Sequence, residues 1–235
     1  MSQPRNGFRA GLDSVLLGAS VPEGTKNLLD LGAGIGAAAL VALALGRAER
    51  ATLAERDADA LALARDNIAG NGFADRALAI EADVTAKADL RRAAGLDDNE
   101  HDVVIANPPF FAAGRGTLAP KADRAGARHM AVGDLDLWLR CAASSARAGG
   151  KAIVIYPAEG LAELLAAFAK RFGAVTIMPL APRPGAAATR VLVRGVKGSR
   201  APLTLLATRV LHGAEDNGFA PEFDAILRGK AALDW

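Results

Sequence analysis

The sequence is poor in cysteine and in net charge, and it has no long hydrophobic run. Its single cysteine, Cys141, excludes an internal disulfide and fits a reducing compartment. This cysteine lies in a helix-like segment, where we expect a small buried thiol. The formal net charge of +2 is too small to predict nucleic-acid binding from bulk electrostatics. Any basic surface that binds nucleic acid must therefore be local.

No segment has the features of a signal peptide or of a membrane span. The first ten residues, MSQPRNGFRA, lack the apolar run that a signal peptide requires. The longest apolar stretch, Ala37–Leu45, is too short to cross a bilayer. Neither an internal repeat nor a linker-like composition divides the 235 residues, so we expect a single cytoplasmic domain.

Strand-like and helix-like segments alternate along most of the chain. Apolar stretches predict strands at residues 27–32, 51–55, 77–83, 101–107 and 151–157. Helix-like segments lie between several of them, at residues 35–48, 57–72 and 134–150, the last ending in paired glycines. Strands separated by helices are typical of βαβ units, which form a parallel sheet covered on both faces.

The last third of the chain has a different pattern. Residues 174–182 and 189–198 are strand-like, and the link between them is too short for a helix, which indicates an antiparallel pair. The apolar run at 202–212 adds another edge strand or covers the edge. We therefore predict an α/β, Rossmann-like fold. Its seven-stranded, mostly parallel sheet has helices on both faces and an antiparallel C-terminal hairpin.

The segment LLDLGAGIGAAAL places three glycines between a strand and a helix. Gly32, Gly34 and Gly36 let the backbone turn tightly and approach a ligand without an intervening Cβ. Glu55 follows Gly34 by 21 residues, about the spacing at which a carboxylate reaches the ribose hydroxyls of a nucleoside. The alternative for Glu55 is a solvated residue at a strand end.

Two aspartates narrow the identity of the expected nucleoside cofactor. Asp30, which precedes the glycines within the motif, disfavours anionic phosphates and favours a cationic amino-acid moiety, which indicates S-adenosylmethionine rather than NAD. Asp83 ends the third predicted strand, where it would contact an adenine amino group or cap a helix.

The turn Asn-Pro-Pro-Phe follows the fourth predicted strand. An exocyclic amino group conjugated with a ring or a carbonyl is a poor nucleophile because its lone pair is delocalised. The Asn107 side-chain oxygen and the Pro108 carbonyl would accept hydrogen bonds from the two N–H groups of this amino group and direct its lone pair toward a methyl donor. Phe110 would stack on a flat base, which contributes about 1–3 kcal/mol. The alternative is a rigid turn whose phenylalanines fill the core.

This chemistry needs neither a strong general base nor a metal. The amino nitrogen can release its proton during or after the transfer, and the three histidines are not clustered in the sequence. We therefore expect no metal site and no His–Asp couple.

The combination of DLGAGIG, an acidic strand end and NPPF resembles the class I S-adenosylmethionine-dependent amino-group methyltransferases. This class includes DNA and RNA adenine-N6 methylases and release-factor glutamine methylases. The opening NGFRAGLDSVLLGASVP and the later ATRVLVRGVKGS and LHGAEDNGFAPEFDAILRG resemble the bacterial tRNA(Val) adenine-N6 methyltransferase family. The resemblance implies an N-terminal cap element at 1–26, a core at 27–200 and a C-terminal edge element at 201–235.

The resemblance also implies roles for individual residues. The three glycines would enclose the methionine moiety of S-adenosylmethionine, Glu55 the ribose and Asp83 the adenine, with S-adenosylhomocysteine as the product. The target base would be held by Asn107, Pro108 and Phe110, where the family often carries tyrosine, whose hydroxyl is missing here. The opening element would close over the cofactor or substrate through Phe8, Arg9 and Asp13.

Basic residues near the active turn fit the RNA substrate, most of all tRNA, that the resemblance implies. The loop after NPPF carries Arg115, Lys121, Arg124 and Arg128, and a second basic stretch contains Arg190, Arg194, Lys197 and Arg200. The alternative is a pair of solvated segments. Only 26 residues precede the first strand, so a compact domain that reads a structured RNA by shape fits better than a methylase with a separate recognition domain.

Other functions stay open on the sequence alone. The first alternative is N-methylation of a protein glutamine or of another base in RNA or DNA. The second is a catalytically inactive module that binds S-adenosylmethionine and RNA, although the intact NPPF argues against it.

Overall fold

The structure is a computed structural model that describes residues 2, 11–110, 134–213 and 218–235. Its strands are β1 (Thr25–Leu31), β2 (Ala48–Glu55), β3 (Ala77–Glu81), β4 (His101–Ala106), β5 (Ala146–Pro157), β6 (Phe172–Ala181), β7 (Arg190–Lys197), β8 (Thr204–Leu205) and β9 (Arg209–Val210). Its α-helices are α1 (Leu12–Ala19), α2 (Ala37–Ala44), α3 (Ala58–Gly70), α4 (Ala88–Ala93), α5 (Asp134–Ser145), α6 (Leu161–Ala169) and α7 (Pro221–Leu227).

All the strands belong to one mixed sheet. Its order is β3-β2-β1-β4-β5-β7-β6-β8, and β9 also pairs with β6. The first five strands are mutually parallel, and β7 is antiparallel to both of its neighbours. The α/β class and the antiparallel C-terminal hairpin are therefore confirmed.

The strand count differs from the predicted seven. The run at 202–212 forms two strands of two residues each, β8 and β9, and both pair in parallel with β6. The sheet consequently has nine strands. Pairings this short fall below the length at which apolar alternation indicates a strand, so the sequence pattern could not separate them from edge cover.

Helix α5 ends earlier than its paired glycines suggested. It stops at Ser145, and β5 begins at Ala146, so the glycines lie in the irregular first part of a strand. A Cβ on Gly150 would lie 3.0 Å from the His101 carbonyl oxygen, and the register between β4 and β5 shifts at this point. Here glycine permits close approach of two strands and does not terminate a helix.

Helices cover both faces of the sheet, as the βαβ pattern predicted. On one face α1, α2, α3 and α7 contribute buried side chains to a cluster that includes Leu28 and Ile105. On the other face α5 and α6 pack on Leu29, Val104 and their neighbours. Successive strand residues point to opposite faces, which is why Leu28 and Leu29 belong to different clusters. The strands are thus buried on both sides and hold their carboxyl ends rigidly.

Candidate active site at the carboxyl edge of the sheet

Three neighbouring strands end together at one edge of the sheet. Leu31, the last residue of β1, is the register partner of Ala54 in β2 and of Ala106 in β4. Because parallel strands carry their carboxyl ends to the same edge, the glycine turn after β1 lies between Glu55 and Asn107. The chain order reverses around β1, so this is the crevice in which such sheets bind ligands.

The three glycines of this turn are all in the left-handed backbone region. Their φ angles are 63° at Gly32, 55° at Gly34 and 86° at Gly36. A Cβ on Gly32 would collide with the Trp138 ring, and one on Gly36 would lie 2.6 Å from Leu53 Cδ2. A Cβ on Gly34 would meet no atom of the described residues within 4 Å. The middle glycine therefore borders open space into which a ligand can approach the backbone.

The Glu55 carboxylate is bound to this turn. Its Oε2 accepts a hydrogen bond from the Gly34 N–H at 2.8 Å. Its Oε1 accepts from the backbone N–H groups of Arg56 and Asp57, both at 2.8 Å. A carboxylate oxygen has two lone pairs, so Glu55 can still accept from ligand hydroxyls beside the open space at Gly34.

Asp30 lies beneath the glycine turn and not on its surface. Its side chain is 3% exposed, and Oδ2 accepts from the Ala39 N–H in the first turn of α2 at 3.2 Å. Burial raises the pKa of Asp30 to about 7, the Ala39 hydrogen bond lowers it, and the Glu55 carboxylate adds to the rise. Near neutral pH this carboxyl is consequently poised between its two protonation states.

Asp83 follows β3 and caps a turn. Its Oδ1 accepts from the Thr85 N–H at 2.8 Å and the Thr85 hydroxyl at 2.7 Å, while Oδ2 lies 3.5 Å from the Arg56 guanidinium. Burial alone would raise the pKa of Asp83, but the Thr85 hydrogen bonds and the Arg56 charge together hold it below its ordinary value. The helix-capping alternative is wrong, because α4 begins at Ala88 with Lys87 as its N-cap.

The Asn-Pro-Pro-Phe turn begins one residue after β4. Asn107 is half-buried, and its side-chain amide forms no hydrogen bond with any residue in the described ranges. Pro108 is buried, and Phe110 is half-buried with its ring edge-to-face against Tyr156, at 5.2 Å between centroids and 83° between planes. A Cβ on Gly160 would come within 2.5 Å of the Tyr156 ring, so that glycine makes room for the aromatic pair.

Sequence reasoning missed Tyr156 and Trp138. Tyr156 is the only tyrosine of the chain, and burial raises its pKa to about 12. Its position next to the last residue of β5 could have indicated this edge of the sheet. Trp138 gave no such signal, because its contact with the glycine turn joins residues more than 100 positions apart.

Two candidate substrate residues bind each other. Arg190, the first residue of β7, donates through Nε to the Asp13 carboxylate near the start of α1 at 2.9 Å. The two charges therefore compensate each other and connect α1 to the active edge. The other candidates in the opening element and the basic loop lie outside the described residues: Phe8, Arg9, Arg115, Lys121, Arg124 and Arg128.

The second basic stretch is not one surface. Strand β7 runs away from the active edge, so Arg190 and Lys197 lie at opposite edges of the sheet. Arg194 stacks on the Trp235 ring with its guanidinium carbon 4.5 Å from the centroid, and burial lowers its pKa. Lys197 donates to Asn99 Oδ1 and to the Ala146 carbonyl. These cations therefore do not form one continuous surface, and an RNA contact by any one of them stays a prediction.

The structure adds three observations on classes of site. Within residues 11–110, 134–213 and 218–235 no three histidine, cysteine or carboxylate side chains are grouped to hold a metal ion. No helix of those same ranges is both long and apolar enough to span a bilayer. Cys141 is a buried free thiol in α5, and burial raises its pKa to about 11.

Comparisons with known proteins agree with this geometry. The family model of the methyltransferase small domain matches residues 11–126. The tRNA1(Val) (adenine(37)-N6)-methyltransferase of Tolumonas auensis is 30% identical over 230 residues, which is 96% of this chain and 91% of the relative. The enzyme of the same name from Klebsiella pneumoniae is 33% identical over 172 residues, 66% of this chain and 67% of its own.

A solved structure extends the agreement to the whole fold. A predicted O-methyltransferase of Agrobacterium tumefaciens matches with a TM-score of 0.80 at 34% identity, covering 95% of this chain and 99% of the other. The doubly wound sheet and the glycine turn at its carboxyl edge define a class I S-adenosylmethionine-dependent methyltransferase. Within that class, the chain belongs to the family of the bacterial tRNA1(Val) (adenine(37)-N6)-methyltransferases.

Proposed function

We propose that this enzyme methylates the N6 amino group of an adenine in RNA, most of all in tRNA. The observation that carries the proposal is the placement of Asn107. Its amide forms no hydrogen bond with the described residues, and it follows the strand that pairs with β1, directly beside the glycine turn. An amino group bound there would face the cofactor crevice.

In this proposal the active turn changes the geometry of the target nitrogen. The amide oxygen of Asn107 and the carbonyl oxygen of Pro108 each accept a hydrogen bond from one N–H group of the target nitrogen. These two hydrogen bonds localise the nitrogen lone pair. Such preorganised acceptors are worth more in a site that excludes water. Phe110 supports the base by stacking, and Tyr156 and Gly160 fix the orientation of its ring. The cofactor held beside Gly34 and Glu55 would supply the methyl group, and the nitrogen held by Asn107 and Pro108 would release one proton to solvent.

The residues around the glycine turn fit S-adenosylmethionine. When bound, this cofactor supplies a methyl group on a positively charged sulfur and leaves as S-adenosylhomocysteine. The open space at Gly34 admits a ligand to the backbone, and Glu55 offers acceptors for ribose hydroxyls. The Asp30 carboxylate below the turn favours the cationic moiety, and we assign Asp83 to the adenine.

The names of the relatives support a tRNA substrate. Both are tRNA1(Val) (adenine(37)-N6)-methyltransferases, and one of them aligns with almost the whole chain. We infer a single catalytic domain, with residues 1–26 and 201–235 as elements added to the core, that acts on tRNA in the cytoplasm. A tRNA adenine must leave its stack to contact Phe110, which is the usual requirement for chemistry on a base.

Methyl transfer to another acceptor is the second candidate. It is favoured by the 34% identical Agrobacterium protein, whose structure carries the description of a predicted O-methyltransferase. A protein glutamine would also present an amide nitrogen to the same two acceptors.

Methyl-labelled S-adenosylmethionine distinguishes these candidates. The purified enzyme is incubated with tRNA from cells that lack its gene, and the tRNA is digested to nucleosides. We expect the label in N6-methyladenosine. Label in a 2′-O-methylnucleoside or in a protein glutamine from a parallel extract would move the assignment to that acceptor. If the protein binds the cofactor but transfers no label to any acceptor, the proposed methyl transfer would be wrong.

The variant Asn107→Ala tests the assigned role. We expect it to lower kcat at least 100-fold, in the range seen when one transition-state hydrogen-bonding group is removed, with the cofactor Kd changed less than twofold. Asn71→Ala, at the far end of α3, is the matched control and should retain full activity. Equal losses of kcat and cofactor affinity in Asn107→Ala would contradict the role of this residue.

A further inference from the structure

A cavity of about 250 Å³ lies between the turn after β3, helix α4 and helix α5. Three cationic side chains line it, those of Lys87, Arg91 and Arg140, together with the apolar Leu137 and the hydroxyl-bearing Thr85. Of the described residues that line it, none carries a carboxylate. The charged side chains of this lining are therefore all cationic, which favours an anion.

Arg91 is a buried cation without an ionic partner among the residues that the structure describes. Its side chain belongs to a residue that is 6% exposed, and its guanidinium donates to the Ala86 carbonyl at 2.8 Å and to Ser144 Oγ at 3.1 Å. No carboxylate of the described ranges lies within 4.0 Å of it. A guanidinium has five N–H donors, and a buried charge is costly unless it is paired. The cavity beside Arg91 is where a compensating anion fits.

Arg171, which follows α6, is by contrast an arginine that has a carboxylate partner. Its guanidinium, 16% exposed, binds both carboxylate oxygens of Asp136 at 2.9 Å. Asp136 also binds Lys170 at 2.9 Å and lies 3.4 Å from Arg140. Asp136 thus contacts three cationic side chains, and its contact with Arg140 is the longest. Arg140 is therefore available to bind an anion in the cavity.

The cavity adjoins the active edge of the sheet. The Thr85 hydroxyl on its wall donates to Asp83, which we assign to the cofactor adenine. Leu137 on the opposite wall precedes Trp138, whose ring packs over Gly32 in the glycine turn. The cavity is therefore connected through Thr85 to Asp83, and through the Leu137–Trp138 segment of α5 to the glycine turn.

We propose that this cavity binds a backbone phosphate of the RNA substrate, next to the nucleotide that enters the active turn. The inference rests on the proposed RNA function and names one place where the RNA backbone is held. Lys87 is exposed and has no ion pair in the described part of the chain, so it reaches the phosphate from the solvent side. Arg91 and Arg140 contact it from within the cavity.

The double variant Lys87→Ala/Arg140→Ala tests the proposal with unmodified tRNA. We expect the tRNA Kd to rise at least tenfold at 0.1 M salt. The slope of log K against log salt should fall by about 1, as expected for one lost phosphate contact. The cofactor Kd should stay within twofold, which shows that the crevice is intact.

A charge-matched control is Arg92→Ala/Lys170→Ala. It also removes one cation at or in α4 and one contact to Asp136, but both residues lie outside the cavity lining. We expect a less than twofold change in its tRNA Kd. Equal weakening in both double variants, or no weakening in either, would overturn the proposal.

Inorganic phosphate distinguishes a free anion from an RNA backbone. If phosphate bound the wild type and not Lys87→Ala/Arg140→Ala, while both bound tRNA equally, the cavity would be a site for small anions and the proposal would be wrong. A wild-type enzyme that transfers no label to tRNA would contradict the proposed function itself. A wild type that methylates tRNA, with a double variant that binds it normally, would contradict only this inference.

Discussion

Asp30 places a titratable charge beneath the cofactor crevice. Its carboxyl is buried, and its pKa is raised to about 7 chiefly by that burial. A cationic ligand above the turn stabilises the carboxylate and therefore lowers this pKa when it binds. Ligand binding must then release a proton wherever Asp30 is protonated in the free enzyme.

We expect the affinity for S-adenosylmethionine to rise about tenfold between pH 5.5 and pH 7. Below about pH 7 the free enzyme holds a proton on Asp30 that the bound cation expels, so each step down in pH weakens binding. The cofactor amino group stays protonated over this range, since α-amino groups titrate near 8. Calorimetric titrations at three pH values measure the effect.

The Asp30→Asn variant is the control for that linkage. It has no carboxyl to titrate, and its side-chain oxygen can still accept from the Ala39 N–H. Its cofactor affinity should change less than twofold over the same pH range. If the wild-type affinity also changed less than twofold over this pH range, the ionisation of Asp30 would not be coupled to the charge of the cofactor.

At the scale of the element, the glycine turn combines three different requirements. Gly32 and Gly36 must be glycine both for their backbone angles and because a Cβ would strike Trp138 or Leu53. At position 34 only the backbone angle requires glycine, because an added Cβ would meet no atom of the described residues within 4 Å. The space next to it is therefore open on the side of the described residues, where we propose that the cofactor binds.

Gly34→Ala separates ligand contact from backbone strain. A left-handed alanine costs about 1–2 kcal/mol, so we expect that loss in the free energy of unfolding. We also expect the cofactor Kd to rise at least tenfold, because the new methyl group occupies the crevice. Urea unfolding and calorimetry measure the two effects.

Gly46→Ala is the matched control for Gly34→Ala. Gly46 has φ 67°, and a Cβ there also meets nothing within 4 Å, but it lies at the other end of α2. It should lose the same stability and keep its cofactor affinity. Cofactor binding that falls equally in both variants would mean that strain, and not the crevice, accounts for the loss.

At the scale of the whole molecule, residues 233–235 bind the end of α1. Trp235 Nε1 donates to the buried Ser20 carbonyl at 2.8 Å, and the Leu233 N–H donates to the Ala19 carbonyl at 2.9 Å. Arg194 of β7 stacks on the outer face of the Trp235 ring. These contacts join the helix that bears Asp13 to the far part of the sheet.

We expect Trp235→Ala to lower the free energy of unfolding by about 2 kcal/mol. It removes apolar contact area, a cation–π contact worth about 0.5–1 kcal/mol and the hydrogen bond to Ser20. Trp235→Phe keeps the ring and loses only the donor, so it should cost about 1 kcal/mol. Urea midpoints with unchanged slopes measure both losses. Wild-type stability in Trp235→Ala would show that this contact is incidental.

The sequence by itself determined the parts of this protein that depend on local pattern. Hydrophobic periodicity predicted the parallel strands and three of their covering helices, α2, α3 and α5, and the glycines, Glu55 and Asn107 identified the ends of three strands. These features were readable because strand propensity, glycine geometry and turn chemistry act within a few residues. The parallel register of β1 with β2 and β4 then brings these strand ends to one edge of the sheet.

Only the tertiary structure decided which distant side chains meet. Asp13 and Arg190 form an ion pair across 177 positions, Arg56 lies beside one carboxylate oxygen of Asp83, and the sheet has nine strands and not seven, because β8 and β9 both pair with β6. The charge left over on Arg91 likewise follows from the packing of α4 against α5. Such pairings depend on the order and register of the strands, because a contact between far residues is a property of the packed sheet and not of any segment.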